Sequence, residues 1–429
     1  MNDMALNRAG VPALASPRAP QWDSTLALLR DPYRYIGRTC ASLGSDAFET
    51  RLMLQRAVCM SGAPAAALFY DPALFQRTGA APEPLKATLF GKGALRSLDG
   101  VRHLQRKALF LGMTTPAHVA SLVQHTRHAW EDALPGWSRR GPLPLYRALQ
   151  PVLTQAVCAW AGVPLPASDL ARRTSQLVAL FDSAASGPWQ HIRSRWARRR
   201  TEAWLASLVQ AARDGHVEVP PGRAAHAAAW HREVDGRLLP PRIAAVELIN
   251  LLRPVVAVSL YMTFVAHALH AWPAQRERLL ASSASQRLGF VHEVRRHYPF
   301  FPSVMAKVRE DFEWSGVRFR RGQRAVLDLY GTNHDPRVWH DPWRFRPERF
   351  DGRVPAPFDL VPQGGADAAT HHRCPGEDVA VQLMLLALEM YLQTMRYDVV
   401  AGSACLHMDR LPAVPDGGLP IRVTGSRYS

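Results

Sequence analysis

The sequence predicts a mainly α-helical fold with a small β region, and three observations carry that expectation. Apolar residues recur at helical spacing over roughly 22–31, 102–113, 117–133, 144–161, 168–183, 188–213, 242–270, 274–298 and 377–395. Proline and glycine clusters such as Pro220-Pro221-Gly222 and Pro240-Pro241 separate these segments. Between 311 and 330 the period changes: Phe312, Trp314, Val317 and Phe319 precede Arg321-Gly322-Gln323, and Ala325, Val326, Leu327 and Leu329 follow. Alternation broken by a glycine-containing turn reads as a β-hairpin.

Taken in chain order, residues 1–20 hold Asp3, Arg8, Pro12, Pro17, Arg18 and Pro20 with no continuous apolar stretch. They predict a loose arm rather than a secretory signal. From 21 to 429 no linker or internal repeat divides the chain, so one domain is expected. The most apolar run, Val255 to Ala268, is shorter than the roughly 20 residues a membrane span needs, and it follows Arg253-Pro254. It reads as a buried core helix, and no membrane span is expected. The segment 340–373, rich in proline, glycine and aromatics, reads as ordered loop.

A net charge of +16 raises nucleic acid or an anionic surface as partners. Only Lys86, Lys92, Lys107 and Lys307 are lysine, however, and the arginines run along the whole chain, a pattern of compositional bias. The tightest cluster, Arg193, Arg195 and Arg198 to Arg200 beside Trp196 and Trp204, reads as a solvated helix face. No nucleic-acid partner is expected; anionic small molecules suit the charge. The five cysteines (Cys40, Cys59, Cys158, Cys374, Cys405) are odd in number and scattered. They argue against a disulfide framework and for a reducing, cytoplasmic setting.

The most informative stretch is His371-His372-Arg373-Cys374-Pro375-Gly376-Glu377, which leads into a helix apolar nearly all round. Partial positive charge at that helix start stabilises a thiolate, and Pro375 and Gly376 shape a turn that brings backbone N–H groups toward the sulfur. Such a thiolate suits a heme iron. A structural cysteine is the bland alternative. A zinc site using His371, His372 and Cys374 is disfavoured, because no second cysteine or histidine pair lies at zinc-ligand spacing.

Two remote elements bear on the choice. Glu293 and Arg296 are three apart on a helix that stops at Pro299, so they share a face. Arg349, in Arg346-Pro347-Glu348-Arg349-Phe350, lies ahead of the cysteine, and a glutamate between two arginines can form a paired buried cluster. Glu293-x-x-Arg296, the Pro-Glu-Arg-Phe run and Arg373-Cys374-Pro375-Gly376, in this order, resemble the cytochrome P450 superfamily from about residue 22 onward. The resemblance implies the cytochrome P450 fold, with heme b held between the long central helix and the Cys374 loop. It implies Cys374 as axial iron ligand, Glu293, Arg296 and Arg349 as a structural triad, and Arg373 beside the cofactor. One departure is plain: the usual phenylalanine seven residues before the cysteine is Asp367.

Oxygen activation in most of that superfamily uses an acid followed by a threonine on the central helix. Here the middle of that helix reads Asn250-Leu251-Leu252-Arg253-Pro254-Val255-Val256. A proline breaks the hydrogen-bond ladder, and an arginine sits in an apolar face. A buried lone cation is unfavourable without an anionic partner, and a substrate carboxylate held by Arg253 at two points is the partner expected. That carboxylate could serve as the missing acid–base for H₂O₂ cleavage, with no reductase. Arg253-Pro254, Thr88-Leu89-Phe90-Gly91, Leu98-Asp99-Gly100, His103 with Arg106-Lys107, and Arg296 to Pro302 resemble the bacterial fatty-acid peroxygenases. By that resemblance Arg253 holds the fatty-acid carboxylate, Phe90 and Pro254 line the distal pocket, and His103 and Lys107 contact heme propionates.

Arg96 departs from the branch, whose members typically carry glutamine or histidine there. Three roles are open to it: strengthening carboxylate binding, selecting a second anionic group, or pairing with Asp99. The product, α-hydroxylated, β-hydroxylated or decarboxylated, is correspondingly open. Alternatives to the peroxygenase are a reductase-dependent monooxygenase and a low-turnover heme ligand-binding protein.

Overall fold

The computed structural model describes residues 16–182 and 187–426 and is built around one helix. The helices that form the body are α1 (Gly100–Met113), α2 (Pro116–Ser138), α3 (Leu145–Ala161), α4 (Ala167–Asp182), α5 (Pro188–Arg213), α6 (Pro241–Ala271), α7 (Ala284–His297) and α8 (Glu377–Glu389). Helix α6 is apolar over most of its surface, so it is satisfied by neighbours nearly all round. It packs against α3, α4, α5, α7 and α8. Each fully buried leucine or valine on it is worth about 1.5–3 kcal/mol of transfer free energy. The Val255–Ala268 run is thus a core element, and α6, the one helix among the described residues apolar enough to cross a membrane, lies mostly inside the body.

Two expected helices are divided. The 274–298 segment is a short helix, Pro273–Leu280, followed by α7; Ser283 starts α7 with a capping box, accepting from the Gln286 amide N–H while the Gln286 side chain returns to Ser283. The 377–395 segment is α8 and a π turn (Met390–Thr394), after which the chain becomes a strand. The end of the 168–183 segment and residues 1–15 of the expected arm lie outside the described residues. Residues 17–19 run along the first strand, with Glu49 N–H donating to Pro17 C=O at 2.8 Å and Ala19 N–H to Glu49 C=O at 3.0 Å.

The small β region is divided among three sheets. Strands β1 (Ala47–Leu52), β2 (Gln55–Ser61), β3 (Phe75–Gln76), β5 (Ser303–Val308) and β8 (Arg324–Asp328) form a sheet in the order β1-β2-β8-β5-β3, with only β2 and β8 parallel. Strands β4 (Leu143–Pro144), β9 (Met395–Val399) and β10 (Pro420–Ser426) form a second sheet. The expected hairpin in 311–330 turns elsewhere. Strands β6 (Phe312–Trp314) and β7 (Val317–Phe319) close around Ser315-Gly316, where both residues have positive φ, and 324–328 leaves the hairpin to join the five-stranded sheet.

Candidate functional site: the Cys374 loop and the middle of the central helix

Cys374 lies two residues ahead of the helix cap Gly376, half-buried, at the positive end of α8. Its N–H donates to the Gln363 carbonyl at 3.1 Å, and the Gln363 amide nitrogen lies 4.0 Å from its sulfur. Arg373 braces the loop from within: Nε donates to Glu377 Oε2 at 2.6 Å and Nη1 to the Ala366 carbonyl at 3.2 Å. Glu377 also pairs with Arg295 of α7, so two guanidiniums hold its carboxyl below its ordinary range against the opposing effect of burial. Asp367 closes a polar turn, accepting from the N–H groups of Ala369 (3.0 Å) and Thr370 (2.8 Å) and from the Thr370 hydroxyl (2.8 Å). A phenylalanine could not make these bonds.

Glu293, Arg296 and Arg349 lie together in one hydrogen-bonded ion cluster. Glu293 accepts from Arg296 Nε at 2.7 Å and Nη2 at 2.8 Å, from Arg349 Nε at 3.2 Å and from the Arg346 N–H at 2.7 Å. The remaining guanidinium N–H groups go to carbonyls of Asn333, Pro342, His340, Asp341 and Arg344. Full pairing lets three buried charges coexist, and it fixes the path of the loop that delivers Cys374.

On α6, Arg253 is only 8% exposed, yet among the described residues it has no hydrogen-bond or ion-pair partner, and its Nε is sealed from solvent. Burial, with help from Arg96 and Arg198, pushes its guanidinium down to about 9, still largely charged at neutral pH. Asn250, Pro254 and Ala257 keep some accessible surface in an otherwise buried segment, and their spacing puts them on one face. Pro254 removes one N–H from the helix ladder without ending the helix.

The wall opposite is a turn hung from α6. Asn250 Nδ2 donates to the Phe90 carbonyl at 3.2 Å, and the Leu95 N–H donates to Glu247 Oε1 at 2.8 Å. Arg106 ties the same carboxylate to the Gly93 carbonyl and to Glu233. Arg96 extends from this turn with its guanidinium carbon 5.7 Å from the Phe90 ring centroid. Asp99 is not its partner. That carboxylate accepts from the Arg77 N–H (3.0 Å), the Thr78 N–H (2.8 Å) and the Thr78 hydroxyl (2.6 Å), and lies 3.5 Å from His372 Nε2. Of the three roles open to Arg96, pairing with Asp99 is excluded. Gly91, at φ +83°, allows the turn to seat: a Cβ there would lie 1.9 Å from Arg198 Nη2 and 2.7 Å from Val246 Cγ1. Gly91→Ala is therefore expected to lower stability by about 1–3 kcal/mol, which urea unfolding checks.

His103 and Lys107 share a buried face of α1. The His103 ring stacks on His372 with centroids 4.0 Å apart, and Lys107 Nζ donates to the carbonyls of His371 and Arg373. Burial pushes His103 down to about 4, His372 to about 3 and Lys107 to about 8, so both rings are neutral at pH 7 while the lysine stays mostly charged. The stacking of His372 on His103 and the pairing of Glu247 with Arg106 are site features the sequence did not single out. The sequence signal for His372 was its place two residues before Cys374. For the pairing it was an acid inside the most apolar helix.

Lys107 holds the Cys374 loop through the His371 and Arg373 carbonyls, and α6, which carries Arg253, packs against α8, the helix that Cys374 precedes. The donor set fits a heme: Cys374 at a helix start would hold the iron. The comparisons agree. A family model described as Cytochrome P450 matches residues 289–416. The chain belongs to the cytochrome P450 superfamily, and within it to the branch its own motifs resemble. Cytochrome P450SP alpha in complex with (R)-ibuprofen is 47% identical, with 93% of this chain and 98% of that one covered and a TM-score of 0.91. Cytochrome P450EX alpha with myristic acid is 36% identical, covering 95% and 98%, with a TM-score of 0.92. Among curated proteins, Cytochrome P450 716A75 of Maesa lanceolata is 30% identical over 30% of this chain, and the match spans only 26% of that relative's length. Membership implies a bound heme and a heme oxidoreductase.

Proposed function

We propose that this protein is a heme-thiolate peroxygenase that uses H₂O₂ to hydroxylate (at the α or β carbon) or decarboxylate a long-chain fatty acid. The observation that carries this reading is Arg253, a buried guanidinium with no partner among the described residues, on the helix that packs against the one preceded by Cys374, the residue that would hold heme b. The heme would supply the oxidation chemistry when bound; His103, Lys107 and Arg373 are the residues proposed to stand near its periphery.

The chain's own residues then have separable tasks. Arg253 binds the substrate carboxylate through a two-point, charge-assisted contact and orients it toward the iron side of the pocket. Phe90 and Pro254 give the acyl chain an apolar wall. The bound carboxylate takes a proton from H₂O₂ and returns it to the oxygen that leaves as water, the task an acid–alcohol pair would otherwise perform. Hydroxylation balances as RH + H₂O₂ → ROH + H₂O, so no redox partner is needed. The similarity to proteins solved with myristic acid and (R)-ibuprofen, both carboxylic acids, supports this reading. The five free cysteines suit a cytoplasmic setting.

The test is product analysis after adding H₂O₂ to purified protein with a panel of fatty acids, for wild type, Arg96→Gln and Arg253→Ala. Wild type is expected to turn over without NADPH. Arg96→Gln is expected to stay active, with acid binding weaker by about threefold to tenfold, roughly 0.6–1.4 kcal/mol, and with an altered ratio of products. Turnover only with NADPH and a redox chain would assign the protein to the reductase-dependent monooxygenases. A spectrum unresponsive to every acid would favour a ligand-binding protein.

A further inference from the structure

Helix α5 has two faces with opposite character. Ser194, Ala197, Arg198, Thr201 and Leu205 are buried against the body, so Arg198 leaves the solvated cluster expected from sequence and points inward at Gly91. The outer face carries Trp189 at 81% exposure, Ile192 at 46% and Trp196 at 56%. Their spacing of i, i+3 and i+7 aligns them in one stripe. At 100° per residue, Arg193 and Arg200 fall along one edge of that stripe and Arg195 and Arg199 along the other. From 188 to 201 there is no aspartate or glutamate. Among the described residues none of these four arginines is in an ion pair; Arg193 donates to the Ser175 hydroxyl at 3.2 Å, and Arg199 sits 5.8 Å from the Trp196 ring centroid.

We propose that this outer face of α5 is a docking surface for an anionic lipid bilayer. Indole rings favour the headgroup level, where an apolar body and a polar N–H can both be satisfied. Arginines on both edges can bury their stems beside the stripe and reach lipid phosphates with their guanidiniums. A chain with a net charge of +16 adds long-range attraction to such a surface. A second copy of this chain fits poorly, because a two-fold contact would set the arginines of one face against those of the other with no acid between them. The bilayer is contacted at its surface and not spanned. Because the inner face of the same helix carries Arg198 against the Phe90-Gly91 turn, docking would place that turn one helix away from the lipid.

The experiment needs neither substrate nor peroxide, so it stands apart from the peroxygenase reading. Heme-loaded protein is pelleted with sucrose-filled vesicles of mixed phosphatidylglycerol and phosphatidylcholine, or of phosphatidylcholine alone. At low salt, partition onto the phosphatidylglycerol vesicles is expected to be at least about tenfold stronger and to weaken as salt rises. Tryptophan emission should shift to the blue on binding. Trp189→Ser with Trp196→Ser should lower partition by at least about tenfold while heme absorption and thermal unfolding stay at wild-type values. Changing Arg193, Arg195, Arg199 and Arg200 to glutamine should remove the preference for the anionic lipid. Equal pelleting with and without vesicles overturns the proposal, as does partition that ignores these substitutions. A concentration-dependent dimer, or DNA retention, that the same substitutions abolish in protein that does not bind vesicles would assign the face to another occupant and also overturn it.

Discussion

Arg253→Ala is expected to abolish acid-dependent turnover while leaving the fold intact or slightly more stable. The Arg253 guanidinium has no partner among the described residues, so no protein group offsets the electrostatic penalty of burying it. Truncation relieves that penalty. In the complex the same truncation removes the cation facing a desolvated carboxylate, a loss of about 2–5 kcal/mol, equivalent to a factor of roughly thirty to several thousand in affinity. Turnover should fall further than binding, because a carboxylate that is not held in place cannot shuttle the peroxide proton. Arg253→Lys keeps the charge but not the planar two-point contact, and is expected to retain only part of the activity. Spectral titration with a long-chain acid, peroxide-driven product formation and urea unfolding separate these effects. A variant that loses activity only because it unfolds would contradict the assignment.

Glu293→Ala is expected to have the largest effect on stability. This one carboxylate, fully buried, accepts from Arg296, Arg349 and the Arg346 amide, and removing it strands two guanidiniums inside the body. Breaking a buried pair by deleting one partner is worth about 3–5 kcal/mol, a large share of the roughly 5–15 kcal/mol that holds a domain together. Loop 340–350 then loses its anchor, and with it the path that sets Cys374 against α8. Heme content after purification and the urea midpoint are the readouts. Glu293→Gln, which keeps the acceptor oxygen, should fall between wild type and alanine. Unchanged heme retention in Glu293→Ala would show that the triad does not control the ligand loop.

The features that decided the family were legible because each is local. Cys374 with Pro375-Gly376, Glu293 with Arg296, and Arg253 with Pro254 are each contained within a few residues, and the long helices follow from periodicity. The sheets were less legible, because their pairing joins distant segments. Strand β2 pairs in parallel with β8 more than 260 residues away, and nothing local in Gln55–Ser61 reports its partner. The hairpin turn was misplaced for a related reason. Arg321-Gly322-Gln323 is a genuine glycine turn, but it links β7 to β8, whereas Ser315-Gly316 closes the β6–β7 pair. Within the site, Arg96 shows the limit most clearly. Asp99, three residues on, was a plausible partner by spacing, and only the three-dimensional structure reveals that Thr78 and the Arg77 amide already occupy it.

The central claim is that the substrate's own carboxylate, held by Arg253, is the acid–base for peroxide. The most direct measurement compares a long-chain fatty acid with its methyl ester, each given H₂O₂ and purified protein without NADPH or reductase. The account predicts oxidised product from the acid in proportion to peroxide consumed, and none from the ester. Equal oxidation of acid and ester, or oxidation of the acid only when a reductase chain is supplied, would contradict it.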